Sequence, residues 1–254
     1  MNILVTNDDG IRSTGLQELV KALSEVGKVS VVAPDQERSG MGHAVTMHRP
    51  LRAVEITGIP GAVQAFQLDG TPADCVKLAV EVLLDNRPQL VVSGVNAGPN
   101  LGTDVLYSGT VSAAVEGLIM GVPAMAVSIA DHSKAWLGLD KAAALAARTA
   151  RVIGEKGLPE DTLLNINLPR LPSEQIKGIK ITRVGIRRYR DFVEKREDPW
   201  GRPYYWLTGE AVDLDEGPDS DTRAVKDGWI SITPVRFHLT HDEFRKELAA
   251  WTLH

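Results

Sequence analysis

One stretch constrains this sequence more than any other: Asn2-Ile3-Leu4-Val5-Thr6-Asn7-Asp8-Asp9-Gly10. Ile3, Leu4 and Val5 form a short apolar run with β-branched residues, the pattern of a strand buried on both faces of a parallel sheet. The run stops on two adjacent carboxylates and a glycine. Gly10 permits a tight turn, and Leu16, Leu19, Val20 and Leu23 then recur at helical spacing. Strand, turn and helix in that order put Asp8 and Asp9 at the carboxyl end of a first strand, where open α/β sheets bind their ligands. Neighbouring carboxylates repel unless a positive charge lies between them, and oxygen ligands suit magnesium, manganese or calcium. Asp8 also fits a helix N-cap and Asp9 a first-turn acid, so this stretch alone leaves both uses open.

The pattern repeats along the chain. Lys28 to Asp35 reads as a second strand, ending in the glycine-containing loop Gln36 to His43. Shorter strands are expected over Pro50 to Ile59 and Ala62 to Leu68. Thr71, Pro72 and Asp74 then make a helix start, with a hydroxyl cap, proline at the first position and an acid three residues on; the helix is expected to run to about Leu84. Gln89 to Gly94 is a further buried strand, leading into the long segment Val95 to Thr110. Val111, Val115, Leu118 and Ile119 mark the next helix, Pro123 to Ile129 a strand, Leu139 to Ile153 a helix, and Leu163 to Pro169 the last core strand before the texture changes. This alternation predicts a three-layer α/β/α, doubly wound, mostly parallel, Rossmann-like sheet. Residues 1–178 form that catalytic core and 179–254 a C-terminal extension of the same domain. The extension carries a basic run from Arg183 to Arg196, an aromatic cluster of Trp200, Tyr204, Tyr205 and Trp206, an acidic run from Asp213 to Asp227, a strand at Trp229 to Pro234 and a helix over about Asp242 to Ala250. Strand alternation with exposed aromatics predicts a β-hairpin that packs on another subunit.

Composition narrows the partners. A net charge of −5 argues against a stable nucleic-acid complex, which needs a basic face. The one cysteine, Cys75, leaves no internal disulfide to form and fits a reducing compartment. Neither a signal-peptide pattern nor an apolar run of about 18 residues is present, so a cytoplasmic protein without a membrane span is expected.

Three loops after three strands converge on one edge: Asp8 and Asp9 from the first, Ser39 and Gly40 from the second, Asn96 from the third. Two carboxylates, a hydroxyl and an amide carbonyl make a net-negative, all-oxygen set suited to one divalent cation with open water positions. Serine and asparagine in glycine-rich loops also serve simply to stabilise turns. Tyr107-Ser108-Gly109-Thr110 opens a helix whose N–H groups attract an anion, although Ser108 or Thr110 can equally act as its cap. Asn7, Gly40, Ser108, Gly109 and Thr110 are the expected phosphate contacts. No Gly-Lys-Ser/Thr follows a glycine-rich loop, and no G-x-G-x-x-G follows the first strand, which disfavours triphosphate hydrolysis and a dinucleotide cofactor. A cation beside a phosphate site points to phosphoester hydrolysis, with Asp8 and Asp9 as the catalytic pair and either a water or an aspartate as nucleophile. His43 could donate to a leaving group or serve structure alone.

These motifs together resemble one family, the SurE survival-protein phosphatases, which are metal-dependent 5′/3′-nucleotidases. The resemblance is carried by Thr6 to Gly10, Ala33-Pro34 with Ser39-Gly40, Gly70 to Cys75, Ser93 to Asn96 through Gly109-Thr110, and Asn165 to Pro169. Asp198-Pro199, Gly201 to Trp206 and Ser231 to Pro234 extend it over nearly the whole chain. It implies one magnesium or manganese ion held by Asp8, Asp9, Ser39 and Asn96, phosphate contacts from Ser108-Gly109-Thr110, and hydrolysis of nucleoside monophosphates. It also implies a cytoplasmic protein whose C-terminal elements are exchanged in dimers or tetramers. Arg223 departs from the family pattern, which has an acid after Asp221-Thr222. Two other classes share parts of the pattern. A receiver-like signalling module also binds magnesium with an acidic pair after its first strand, but needs a later phosphoacceptor aspartate and a lysine where this chain offers Ser39 and Asn96. A sugar-nucleotide binder is the third reading.

Overall fold

The computed structural model describes residues 1–131, 133, 137–190, 193–215 and 217–252. Six parallel strands make its centre: β1 (Asn2–Thr6), β2 (Lys28–Pro34), β4 (Ala62–Leu68), β5 (Leu90–Ala97), β6 (Ala124–Ile129) and β7 (Thr162–Leu168). The antiparallel β3 (Ala53–Ile56) forms one edge, and the order along the nine-stranded sheet is β3-β4-β2-β1-β5-β6-β7, followed by β13 (Ile230–Arg236) and β8 (Ile179–Ile181). The chain winds from β1 outward through β2 and β4, then returns to β5 on the other side of β1. The carboxyl ends of β1 and β5 therefore border the switch-point crevice that such a topology creates.

Helices cover both faces. In β1, Ile3 and Val5 pack with α1 (Thr14–Ser24) and α4 (Leu139–Lys156) through Leu16, Leu19, Leu23 and Leu145, while Leu4 joins the opposite core. That second core contains Cys75 and Val76 of α2 (Pro72–Leu78) and Val111 and Ala114 of α3 (Gly109–Ile119). Truncating a fully buried residue such as Leu4 to alanine typically costs ~2–5 kcal/mol. The expected capping box is present: Thr71 Oγ1 accepts from Asp74 N, Asp74 Oδ2 accepts from Thr71 N, and Pro72 fills the first turn. The helix it opens continues to Leu83 as a wider π-helical segment over Ala79–Leu83. The strand expected over Pro50 to Ile59 is shorter, and its flanks are open loop.

Beyond Leu168 the sheet goes on, where the sequence pattern suggested its last core strand. β13 pairs antiparallel with β7, and β8 pairs parallel with β13. Polar residues disguise this part of the core. Thr182, Ser231 and Thr233 are buried and satisfy one another, with Thr182 Oγ1 at 2.7 Å from both partner hydroxyls. Between β8 and β13 the chain projects as a double-length ribbon. Strands β9 (Arg187–Arg190) and β12 (Glu210–Asp213) pair at its base, and β10 (Val193–Glu197) and β11 (Pro203–Leu207) at its tip. Asp191, one end of the hairpin read from sequence, lies outside the described residues. The tip turn is held by Asp198, whose carboxylate accepts from Trp200 N, Arg202 N and Arg202 Nε. A short helix α5 (Asp221–Lys226) returns the chain to β13, and α6 (Asp242–Leu248) follows it with every residue exposed. Among the described residues no helix is long and apolar enough to cross a membrane.

Candidate active site

A cavity of about 730 Å³ opens at the carboxyl ends of β1, β2 and β5. Asp8, Ser39, Gly40, Asn96 and Ser108 line it together, so residues from four separate segments meet as the sequence pattern predicts. Asp9 faces a smaller neighbouring hollow with Arg12, Ser13 and Asp35, and its Oδ2 accepts from Ala97 N at 3.3 Å across the β1–β5 boundary. Asn7, Gly109 and Thr110 stand behind the cavity wall.

Asp8 is the most constrained group. Its side chain is buried, with 4% of the residue exposed, and its Oδ1 accepts from Thr110 Oγ1 at 2.5 Å. Loss of solvent pushes its carboxyl up to about 6; the Thr110 hydroxyl opposes that, and the neighbouring Asp9 adds to it. A site that raises the cost of two adjacent carboxylates in this way is one a divalent cation would relieve, and the donor chemistry of Asp8, Asp9, Ser39 and Asn96 fits such an ion. Gly109 allows the approach: a Cβ there would lie 2.8 Å from Asp8 Cβ and 2.9 Å from its Oδ2. Any side chain at 109 displaces the carboxylate.

Each remaining site residue has a local reason for its position. Asn7 Nδ2 donates to Gly10 O (3.0 Å) and Ser13 Oγ (2.7 Å), which ties the β1–α1 turn, while its buried Oδ1 has no partner among the described residues. Ser13 caps α1 by accepting from Leu16 N. Ser39 Oγ donates to Glu37 Oε1 at 2.9 Å, and Glu37 itself lines the cavity. A register shift between Ser93 and Asn96 re-aims the end of β5, and Asn96 Nδ2 donates to Gly98 O at 2.8 Å. That use of the amide nitrogen leaves its carbonyl oxygen as the atom it can offer a cation. Ser108 caps α3, its Oγ accepting from Val111 N at 3.0 Å.

The long segment after β5 is fixed from below. Asn100 N donates to Asn167 Oδ1, Asn100 O accepts from Asn165 Nδ2 and Asn167 Nδ2, and Asn100 Nδ2 donates to Ser128 Oγ. Farther along, Gly102 N donates to the fully buried Asp221 Oδ2, whose Oδ1 accepts from Gly185 N. Asp221 therefore couples the segment to the base of the ribbon. There Arg187 pairs with Asp104 and Asp213, and Tyr189 OH donates to Asp104 Oδ2 at 3.0 Å. Arg223 sits apart, paired with Asp227 on the surface of α5.

Tyr107, Asp104, Tyr189, Leu207, Glu37 and Asn100 also line the cavity, and the sequence pattern assigns their side chains no role there. Glu37 and Tyr107 adjoin recognised positions, which is a usable signal. Tyr189 and Leu207 reach the cavity only because the ribbon places them beside it.

The chain is similar to known proteins over most of its length. The family described as survival protein SurE matches residues 3–191. A protein of Moorella thermoacetica named 5′-nucleotidase SurE is 54% identical over 253 residues, covering 99% of this chain and 96% of its own. Its namesake in Carboxydothermus hydrogenoformans is 53% identical with the same coverage. The crystal structure of the SurE protein from Aquifex aeolicus superposes with a TM-score of 0.84 at 41% identity, covering 98% of each chain.

Proposed function

The chain belongs to the SurE family, and from that premise we propose that it hydrolyses nucleoside 5′-monophosphates, and 3′-monophosphates beside them, to nucleoside and phosphate. The observation that carries the reading is the buried, raised Asp8 carboxylate beside Asp9 at a switch-point cavity large enough for a nucleotide. Asp8, Asp9, Ser39 and Asn96 would hold one magnesium or manganese ion per subunit. When bound, that ion supplies charge neutralisation for the phosphoryl group and a more acidic water.

The chain's own groups do the rest. Ser108 Oγ accepts from Val111 N, and the start of α3, where the helix dipole favours negative charge, would draw phosphate oxygens to the Ser108 side of the cavity. Thr110 donates its hydroxyl proton to Asp8 Oδ1 and fixes the carboxylate's orientation. Tyr107 and Tyr189 flank the mouth with exposed rings, a surface against which a base can rest without selective hydrogen bonds. No observation favours the receiver-like or the sugar-nucleotide reading.

We also assign the ribbon and α6 to contacts between copies of this chain, as a homodimer or homotetramer in the cytoplasm. Val193, Tyr204, Tyr205, Trp206 and Leu207 are exposed along the ribbon tip, and α6 with Phe244 and Trp251 is too short to be stable alone. The test of the activity is phosphate release from a panel of nucleoside 5′- and 3′-monophosphates with manganese, with magnesium and with EDTA. Release that EDTA stops is expected. Release that persists in EDTA, or none from any substrate, contradicts the proposal.

A further inference from the structure

The loop that delivers Ser39 and Gly40 has no secondary structure from Asp35 to Arg52, yet its middle is held at a series of points. Arg38 N donates to Asp8 O at 2.7 Å and Gly42 N to Tyr107 O at 3.0 Å. Thr71 Oγ1 donates to Ala44 O at 2.7 Å, and Thr46 N donates to Asp74 Oδ1 at 3.0 Å. Gly42 lies against residue 106 with φ +55°, and a Cβ there would come within 3.2 Å of Leu106 O. Between these backbone ties sits one side-chain tie of a different kind. His43 Nε2 and Glu116 Oε2 are 2.7 Å apart, and Glu116 Oε1 also accepts from Lys77 Nζ at 3.2 Å.

Glu116 lies on α3, two turns beyond the cavity-facing Ser108, and is only 3% exposed. A carboxylate buried to this degree costs several kcal/mol unless its charge is compensated. The His43 hydrogen bond, ahead of the Lys77 one, holds it below the usual carboxylate range, so it is ionised and can only accept. His43 Nε2 is therefore the donor. The ring is turned onto α3, and His43 is absent from the residues lining the cavity.

We propose that His43 and Glu116 form a latch that holds the Ser39–Gly42 segment against α3 and so sets where Ser39 stands relative to Asp8 and Asp9. Both are positioning residues; neither touches the substrate. The latch joins the two helices α2 and α3 and the β2 loop at one buried charge, while the far end of the same α3 orients Asp8 through Thr110. One rigid helix thus fixes both halves of the site. Misplacing a site group by about 1 Å costs up to roughly 100-fold in rate, so a loosened loop is expected to show in turnover.

The catalytic consequence rests on the phosphohydrolase reading above, and the experiment separates the two. Amide hydrogen exchange of residues 39–46 is measured on metal-free wild type, His43→Ala, His43→Gln and Glu116→Gln, with kcat/KM for a nucleoside 5′-monophosphate at limiting and saturating manganese. In His43→Ala, exchange of the Gly42 amide, which is bonded to Tyr107 O, is expected to rise about ten-fold with the melting transition retained, and kcat/KM to fall about ten-fold at limiting manganese and less at saturation. His43→Gln, whose amide nitrogen can still donate to Glu116, is expected to recover most of both, and Glu116→Gln to lie between. Unchanged exchange in His43→Ala overturns the latch. So does a fall in turnover that His43→Gln fails to rescue while the loop stays protected, because that pattern belongs to a proton donor. Should wild type release no phosphate, the activity reading fails on its own, and the exchange data still decide whether the loop is latched.

Discussion

The crevice at the ends of β1 and β5 and the ribbon that projects beside it are built on opposite terms. In the crevice the polar side chains are tied within the chain: Asn7 to the first turn, Thr110 to Asp8, Asn100 to three partners, Asp221 to three backbone amides. The ribbon tip exposes every residue of both strands, with Asp198 holding its turn and Arg196 paired with Glu194 along β10. A buried polar network held by this many hydrogen bonds favours one arrangement. A two-stranded ribbon with no face buried is at best marginal in water. The first region is held by ties within this chain, whereas the second leaves its apolar residues exposed.

The sharpest way to break that contrast is in the crevice. Asp8→Asn removes one of two carboxylates and is expected to lower phosphate release by ~1000-fold or more, on the scale of losing a preorganised electrostatic group. Its circular dichroism spectrum should match wild type, since no core contact is lost. Gly109→Ala should follow at ~100-fold, because its Cβ would displace the Asp8 carboxylate. Equal activity in that variant would mean that Asp8's position does not matter.

The raised Asp8 carboxyl adds a pH signature. Its folded-state value of about 6 lies above the ordinary 3.8, so the folded state holds this proton more tightly than the unfolded one. The stability Asp8 contributes is present below 3.8 and is lost as pH rises through about 6. In metal-free protein that loss is up to about 3 kcal/mol. Denaturant unfolding of wild type and Asp8→Asn between those limits should show the wild type losing ground with rising pH, and added manganese should restore it by mass action. A pH-independent difference would contradict the shift.

At the ribbon the expected effects are smaller on chemistry and larger on assembly. Deleting the tip, residues 193–207, should reduce the mass seen by light scattering while the β1–β7 sheet still melts cooperatively. Activity should fall only several-fold, through loss of Leu207 from the cavity wall. Tyr189→Phe, which loses one hydrogen bond worth ~1 kcal/mol to Asp104, should change KM by a few-fold and kcat hardly at all.

The contrast also explains what the sequence could reveal. The doubly wound centre was legible because β1, β2, β5 and β6 are continuous apolar runs and because Thr71-Pro72-Ala73-Asp74 caps a helix by local rules alone. Asp8, Ser39, Gly40, Asn96 and Ser108 could be placed on one edge because each follows or ends a strand, or opens a helix at that edge. The strand at Trp229 to Pro234 was legible, but its place in the main sheet and the whole of β8 were obscured by Thr182, Ser231 and Thr233, polar residues whose burial depends on one another and not on spacing. Tyr189 and Leu207 were beyond reach, since only the fold of the ribbon brings them to the cavity. Asn7 shows the opposite limit. It stands in the motif as a phosphate contact, yet its amide nitrogen is spent on Gly10 and Ser13 within its own turn.

The most direct measurement is calorimetric titration of manganese into metal-free wild type, Asp8→Asn and Asp9→Asn. One site per chain in wild type is expected, with binding lost or weakened at least ~100-fold in both variants, since each removes a charged oxygen ligand. Binding of equal strength and stoichiometry in wild type and variants would contradict the assignment of this crevice as the metal-holding active site.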